Sequence, residues 1–361
     1  MRGTINEKIG SGGERAGMVT MSDIARRVGV SQATVSYVLS GRQSGVRVRD
    51  EMRQRILQTA ADLGYRRNDM ARAMSSGKSY VLGFVTRIAG QESSARMMVG
   101  AQEVASENGY SIQLMPLHGK SPDYAAAFAR LAEQRVAGVL ALNLKVDAIE
   151  LLRQETERFE IPIAFMDDPP PLDWAMRVIS DDRGGLRLAL EHLIALGHHR
   201  IGFVSAQRES PLAEQRRALF LDLMAEYGLP VPNEFVLATD WVKPEIVEPA
   251  VHALLAPGRP RETYPTAFLT AGDLMAMVTM RTARALGYRV PQDLSVVGFA
   301  DFISATFADP PLTTIAQPFE EIGRCAARYL LDCAHATNPG SGAEIVIPTY
   351  LVVRASTAPA V

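Results

Sequence analysis

The stretch Met21-Ser-Asp-Ile-Ala-Arg-Arg-Val-Gly-Val-Ser-Gln-Ala-Thr-Val-Ser-Tyr-Val-Leu-Ser40 governs how the rest of the chain is read. Its apolar positions imply two short helices in tight succession. Ile24, Ala25 and Val28 form one stripe, with Ser22 placed to cap the first helix. Gly29 permits a sharp turn, and Ser31 stands where it caps the second helix. Val35, Val38 and Leu39 then face inward, leaving Gln32, Ala33, Ser36 and Tyr37 outside. Two helices this short bury too little alone. A third is predicted from Asp50 to Leu63, with Met52, Ile56, Ala60 and Leu63 on one face. Three small helices crossing near Ala25 and Gly29 fit a helix-turn-helix unit.

Charge points the same way. Between Met18 and Ser79 stand eleven Lys/Arg against five Asp/Glu, although the whole 361-residue chain carries a net charge of −2. A basic head on an acidic body is suited to meeting a polyanion. In a helix-turn-helix the start of the second helix reaches base edges in the major groove. There Gln32 can pair bidentately with an adenine and Ala33 can touch a thymine methyl. Arg26, Arg47, Arg49, Arg53 and Arg55 are available to phosphates, which hold register without reading sequence.

After Ser79 the pattern becomes one of alternating strands and helices. Strands are expected at Val81–Val85, Tyr110–Pro116 and Gly138–Leu142, with helices at 95–108 and 123–134. The alternation restarts beyond Ile179. Helices are expected at 184–196, 212–227 and 274–286, and strands at 200–205, 266–270 and 294–299. Such order argues for two α/β lobes with parallel sheets and a cleft between them, and open sheets of this kind bind ligands at the carboxyl ends of their strands.

Several function classes lose support. There is no Gly-x-Gly-x-x-Gly dinucleotide loop, no phosphate loop ending in lysine and no Gly-x-Ser-x-Gly elbow, so no enzyme and no cofactor is expected. Cys325 and Cys333 are too few for a disulfide framework. His192, His198 and His199 sit around a turn where side chains diverge, which does not suit a metal. The acid pairs Asp167-Asp168 and Asp181-Asp182 are of a type used in glycoside chemistry, but spacing along the chain says nothing of their separation. The start, Met1 to Gly17, is polar and Gly-rich, and no later stretch has the length of a membrane span. A cytoplasmic protein is therefore expected, and the rival reading, an exported sugar-binding protein, is disfavoured.

Residues 21–40, followed by Leu63-Gly-Tyr65, Asn68, Ala71 and Ser75–Ser79, closely resemble the lactose/galactose repressor (LacI/GalR) family of transcriptional regulators. The resemblance runs on through Asp181-Asp182, Glu191–Phe203, Pro291–Phe299 and Pro310–Ile315. It implies an α helix-turn-helix head on an α/β two-lobed body like a periplasmic binding protein. The expected divisions are an extension at 1–18, the head at 19–65 and a hinge helix and linker at 66–79. The body follows at 80–361, with lobe 1 at about 80–179 and 316–340 and lobe 2 at about 180–315 and 341–361.

The resemblance also implies a homodimer on a near-palindromic operator, and a small-molecule effector, sugar-like, bound between the lobes. The chain stops soon after Arg354 without apolar heptads, so a dimer is expected over a tetramer. Contacts to DNA are implied for Ser31, Gln32, Ala33, Thr34, Ser36, Tyr37 and Arg53. The hinge adds Asn68, Ala71 and Met74, where Met74 replaces the usual leucine wedge and Arg67 the usual proline. Contacts to the effector are implied for Asp167, Arg216, Trp241, Asp273, Asp301 and Phe302. Two polar positions of the family pattern are lost, as Gly272 before Asp273 and Ala300 before Asp301. The loss leads to an expectation of a larger or less polar ligand than a plain hexose, a glycoside or a sugar acid held by Arg216.

Overall fold

The computed structural model describes residues 19–39, 48–65, 79–117, 123–167, 172–206, 210–241, 243–258, 260–335 and 342–360. The chain divides into two compact units, Met1–Ser76 and Gly77–Val361.

In the first unit, helices α1 (Met21–Val28), α2 (Gln32–Leu39) and α3 (Asp50–Asp62) enclose one small core. Ile24, Val35 and Ile56, one from each helix, are fully buried at its centre. Gly29 takes a left-handed φ of 81°, which a side chain would resist, and its N–H returns to the Ala25 carbonyl. Ser31 holds the start of α2 as expected, its Oγ accepting from Thr34 N at 3.2 Å. Ser22 does not cap α1. The Asp23 carboxylate reaches back to the N–H and hydroxyl of Thr20, at 3.0 and 2.7 Å, so the cap lies two residues earlier. The Thr20 hydroxyl, leading these contacts, holds the Asp23 carboxyl below its ordinary range.

The second unit is built on two six-stranded sheets. The first contains β1 (Val81–Thr86), β2 (Ser111–Pro116), β3 (Gly138–Leu142), β4 (Ile163–Met166) and β5 (Met176–Ser180). The run of buried Val, Leu, Ile, Phe and Ala in β1, β3 and β4 suits strands covered on both faces, while β2 at the edge is partly exposed. Four helices follow or precede them: α4 (Glu92–Glu107), α5 (Tyr124–Glu133), α6 (Val146–Glu157) and, from far along the chain, α12 (Phe319–His335). The second sheet contains β6 (Ile201–Ala206), β7 (Val236–Thr239), β8 (Ala267–Thr270), β9 (Ser295–Ala300) and β10 (Thr313–Ala316). It packs against α7 (Asp182–Ala195), α8 (Pro211–Glu226), α9 (Pro244–Leu254) and α10 (Asp273–Ala285), with the short α11 (Ile303–Phe307) beside them.

The expected lobe boundary needs one correction. Residues 341–361 do not all belong to lobe 2. The chain returns through β11 (Glu344–Ile347), which pairs in parallel with β5 in the register Glu344↔Arg177, and only then reaches β12 (Tyr350–Val352) in the second sheet. Ile345 and Ile347 pack on the lobe 1 core, which explains the placement. The orders are therefore β11-β5-β4-β3-β1-β2 and β12-β10-β9-β8-β6-β7, all parallel except the β10–β12 pair. Helices α4 and α12 cross at glycine: a Cβ on Gly100 would lie 1.9 Å from the Glu320 carbonyl, and one on Gly323 1.9 Å from that of Met97. Backbones this close fix α12, the middle crossover, against lobe 1.

Candidate functional site

The carboxyl ends of both sheets carry the expected effector residues. Asp167 follows β4 with a left-handed φ of 68°, an uncommon conformation for a residue with a side chain. Its Oδ1 is buried and has no hydrogen-bond partner among the described residues. Burial pushes its carboxyl up to about 6; the nearby Arg216 charge and the Gln317 side chain work against the shift, and the Asp182 charge adds to it.

Arg216, early in α8, does not stand free. Its Nε donates to Asp182 Oδ2 at 2.6 Å and its Nη1 to the Ala271 carbonyl at 2.7 Å. Its guanidinium also lies 3.9 Å from the centre of the Phe299 ring. Both members of this ion pair are buried, Arg216 at 3% and Asp182 at 5% exposure. Asp182 in turn accepts from Ser180 Oγ at 2.7 Å, and Ser180 accepts from Gln317 Nε2 at 2.8 Å. The sequence reading omitted Asp182, Ser180 and Gln317 as site residues. Only the quoted Asp181-Asp182 pair hinted at them, without showing which acid turns inward.

The lobe 2 acids are likewise committed. Asp273, at the start of α10, accepts from Thr314 Oγ1 at 2.5 Å and from Phe302 N at 2.8 Å. Burial pushes this carboxyl up to about 6, opposed by those two donors. Asp301 has a φ of 55°, and Arg354 Nη2 lies 2.7 Å from its Oδ1. No donor is aligned on that oxygen, so the contact is an ion pair without a directional hydrogen bond. The Asp301 carbonyl accepts from Arg96 Nη1 at 3.3 Å, across the lobes. Phe302 stacks on Phe319 of α12, ring centres 5.8 Å apart. Asp301 and Phe302 therefore brace the lobes, while Asp273 ties lobe 2 together internally. Trp241 donates from Nε1 to Ser210 Oγ at 3.1 Å, and its ring edge lies 3.5 Å from where a Gly272 Cβ would be. Arg216, Ala271, Gly272 and Trp241 thus form one continuous strip, and the Arg216 charge acts on Asp167. Asp168 lies outside the described residues.

The histidines take structural parts. His198 is buried, with Nδ1 2.9 Å from Thr266 Oγ1 and Nε2 3.0 Å from both Ser295 Oγ and the Ala358 carbonyl. Burial lowers the pKa of both His198 and His192. Among the described residues no three His, Cys, Asp or Glu side chains are grouped to hold a metal, and no helix is long and apolar enough to cross a membrane.

On the head, Gln32, Ala33 and Ser36 are exposed along one side of α2, with Tyr37 half-buried against the core. The Ser31 and Thr34 hydroxyls lie 2.9 Å apart and engage each other. Arg53 is half-buried on α3. Asn68, Ala71 and Met74 lie outside the described residues.

Comparison with known proteins agrees with this arrangement. The profile of bacterial regulatory proteins of the lacI family matches residues 20–68, and that of a periplasmic binding protein-like domain matches residues 190–357. The HTH-type transcriptional repressor PurR of Pectobacterium atrosepticum is 31% identical over 342 residues, covering 94% of this chain and 97% of the relative. The chain belongs to the lacI family of bacterial regulatory proteins. It is a DNA-binding transcriptional repressor of that family. The HTH-type transcriptional regulator DegA of Bacillus subtilis is 30% identical over 345 residues, covering 94% of this chain and 98% of its own. Among solved structures, the lac repressor dimer bound to operator and the anti-inducer ONPF superposes with a TM-score of 0.75 at 26% identity, over 94% of this chain and 99% of that one. A complex of the transcriptional regulator CelR with cellobiose gives 0.67 at 28%, with the same two coverages.

Proposed function

We propose that this lacI-family repressor binds a near-palindromic operator as a homodimer, and that a neutral, hydroxyl-rich molecule in the cleft between its lobes sets its affinity. The observation that carries the effector class is the buried, unpartnered Asp167 Oδ1 beside an arginine already neutralised by Asp182. A buried acceptor without a donor is costly, and a ligand hydroxyl supplies the donor. An anionic ligand would meet two carboxylates against one engaged guanidinium, which counts against a sugar acid held by Arg216. The half-buried Trp241 ring, whose edge stands over the side-chain-free Gly272, suits the apolar side of a sugar ring or a glycoside's aglycone. The CelR–cellobiose complex is a fold relative with such a ligand. Asp167 and Trp241 are the proposed contacts, with Arg216 fixing the strip from behind, Asp301 and Phe302 holding the lobes together and Asp273 bracing lobe 2.

On the head, Gln32, Ala33, Ser36 and Tyr37 are the proposed reading face. Ser31 and Thr34 shape the start of the helix, and Arg53 is the proposed phosphate contact. Exposed apolar side chains on both lobes, Val99 and Leu114 on one and Ile303 and Phe307 on the other, are the surface such a dimer would cover. Phe307 is 80% exposed in the single chain. The test is operator affinity, measured on a duplex selected from a random library, in the presence of neutral disaccharides, glycosides and sugar acids. A neutral carbohydrate should shift the affinity in the native chain and not in Asp167→Asn. A response to sugar acids alone, or one that survives Asp167→Asn, overturns the assignment.

A further inference from the structure

Gln32 is the first residue of α2, the position from which a reading helix reaches base edges. Its amide is not free to turn. The Ser22 hydroxyl, one helix earlier, donates to Gln32 Oε1 at 3.1 Å. Both residues are exposed, so neither is held by core packing. Ser22 is available for this contact because the cap of α1 is made by Thr20 and Asp23. The neighbouring Ser31 and Thr34 hydroxyls engage each other.

We infer that Ser22 is a positioning residue for base readout, holding the Gln32 amide oxygen against α1 so that the amide presents its N–H groups to the DNA and selects guanine over adenine. The inference rests on the reading face proposed above. An amide carries an acceptor at one end and two donors at the other, and its plane turns as a unit. Pinning the oxygen on the protein side aims the donors outward. In the major groove guanine offers two acceptors, N7 and O6, whereas adenine pairs an N7 acceptor with an N6 donor. The bidentate adenine contact expected from the sequence requires the amide oxygen to accept from N6, and the Ser22 contact turns that oxygen towards α1, away from where a base edge would present N6. As docking removes water, the Ser22–Gln32 hydrogen bond strengthens in the lower local dielectric.

The experiment is selection of the full-length chain on a randomised duplex library at one fixed salt concentration, followed by the base preference at each position. Five proteins are compared: native, Gln32→Ala, Ser22→Ala, Ser22→Thr and the double variant Ser22→Ala, Gln32→Ala. Gln32→Ala should alter one base-pair position per half-site, and the native chain should prefer guanine there. Ser22→Ala should lower the guanine-to-adenine ratio at that same position by about two- to tenfold, the range of one net hydrogen bond. Ser22→Thr keeps the hydroxyl and should keep the ratio. Ser22→Ala in the Gln32→Ala background should change nothing further. A native preference for adenine at the Gln32-dependent position, or an unchanged ratio in Ser22→Ala, overturns the inference and leaves the reading face standing. A Gln32→Ala profile identical to the native one overturns both.

Discussion

The two lobes of the body repeat one strand order and face each other with the carboxyl ends of their strands, yet they use buried acids in opposite ways. Asp273 in lobe 2 and Asp167 after β4 in lobe 1 are both pushed up to about 6, and burial is the leading cause in each case. Asp273 is saturated by Thr314 and the Phe302 amide, and so ties β10 and the 300–303 turn to α10. Asp167 keeps one oxygen without a partner among the described residues. A shared shift therefore does not mean a shared part. The first acid is a brace, and the second is a vacant acceptor for a ligand.

The largest expected effect breaks the link between the lobes. Asp182 compensates Arg216 and also receives the Ser180–Gln317 chain, which joins β5 to the residue after β10. Asp182→Ala leaves a buried guanidinium with only one carbonyl partner, and a loss of about 3–5 kcal/mol in urea unfolding is expected. A loss below about 1 kcal/mol would mean that the pair is wetter than its burial indicates.

Next comes pH. Each shifted acid holds its proton up to about 6 when folded and releases it near 3.8 when unfolded. The folded state therefore binds more protons between those values, and stability falls as pH rises through the window. The fall is about 3 kcal/mol per group. Asp293, held at about 2 chiefly by Arg289, contributes in the other sense and at lower pH, so it does not cancel the trend between 4 and 6. His198 and His192, lowered by burial, work the other way just below pH 6.5 in both proteins, so the acid's part is read as a difference: from pH 4.5 to 7 the urea midpoint of Asp167→Asn should rise relative to that of the native chain. Parallel curves for the two proteins would remove Asp167 from the titration.

A direct contrast of the two acids follows. Asp273→Ala strands the Phe302 N–H and the Thr314 hydroxyl, for a loss of about 1–3 kcal/mol. Asp167→Ala removes a buried carboxylate that lacks a partner on one oxygen, so stability at pH 7 should hold or rise while the response to a cleft ligand is lost. If the two variants lose equal stability, the distinction between brace and vacant acceptor fails.

Much of this was legible from residues alone. The helix-turn-helix follows from the spacing of Ile24, Val28, Val35 and Val38, and the strand–helix alternation gave the class of the body. The last crossover was hidden because Pro348 and Thr349 are the whole link between β11 and β12, two strands too short for their alternation to assign a sheet. Residues 146–157 form a helix that no marked boundary in the sequence announces. Asp273 and Asp301 read as ligand acids because their partners, Thr314 and Arg354, stand 41 and 53 residues further along the chain. Ser22 reads as a cap by its place before the apolar stripe, although Thr20 and Asp23, three apart, already carry that signal.

The smallest expected effect sits beside the brace. Gly272 precedes Asp273 and has an extended φ of −166°, a conformation open to any residue. An added Cβ would meet Trp241 at 3.5 and 3.6 Å, ordinary contact distances. Gly272→Ala should therefore fold normally, with a stability change within about 0.5 kcal/mol, or a slight gain from restricting the unfolded chain. Its consequence should fall on the cleft, where one methyl fills space next to the Trp241 ring. A carbohydrate that shifts operator affinity in the native chain should do so more weakly in this variant, at unchanged stability. An unaltered response would place the ligand away from Trp241 and leave Asp167 as the contact to pursue.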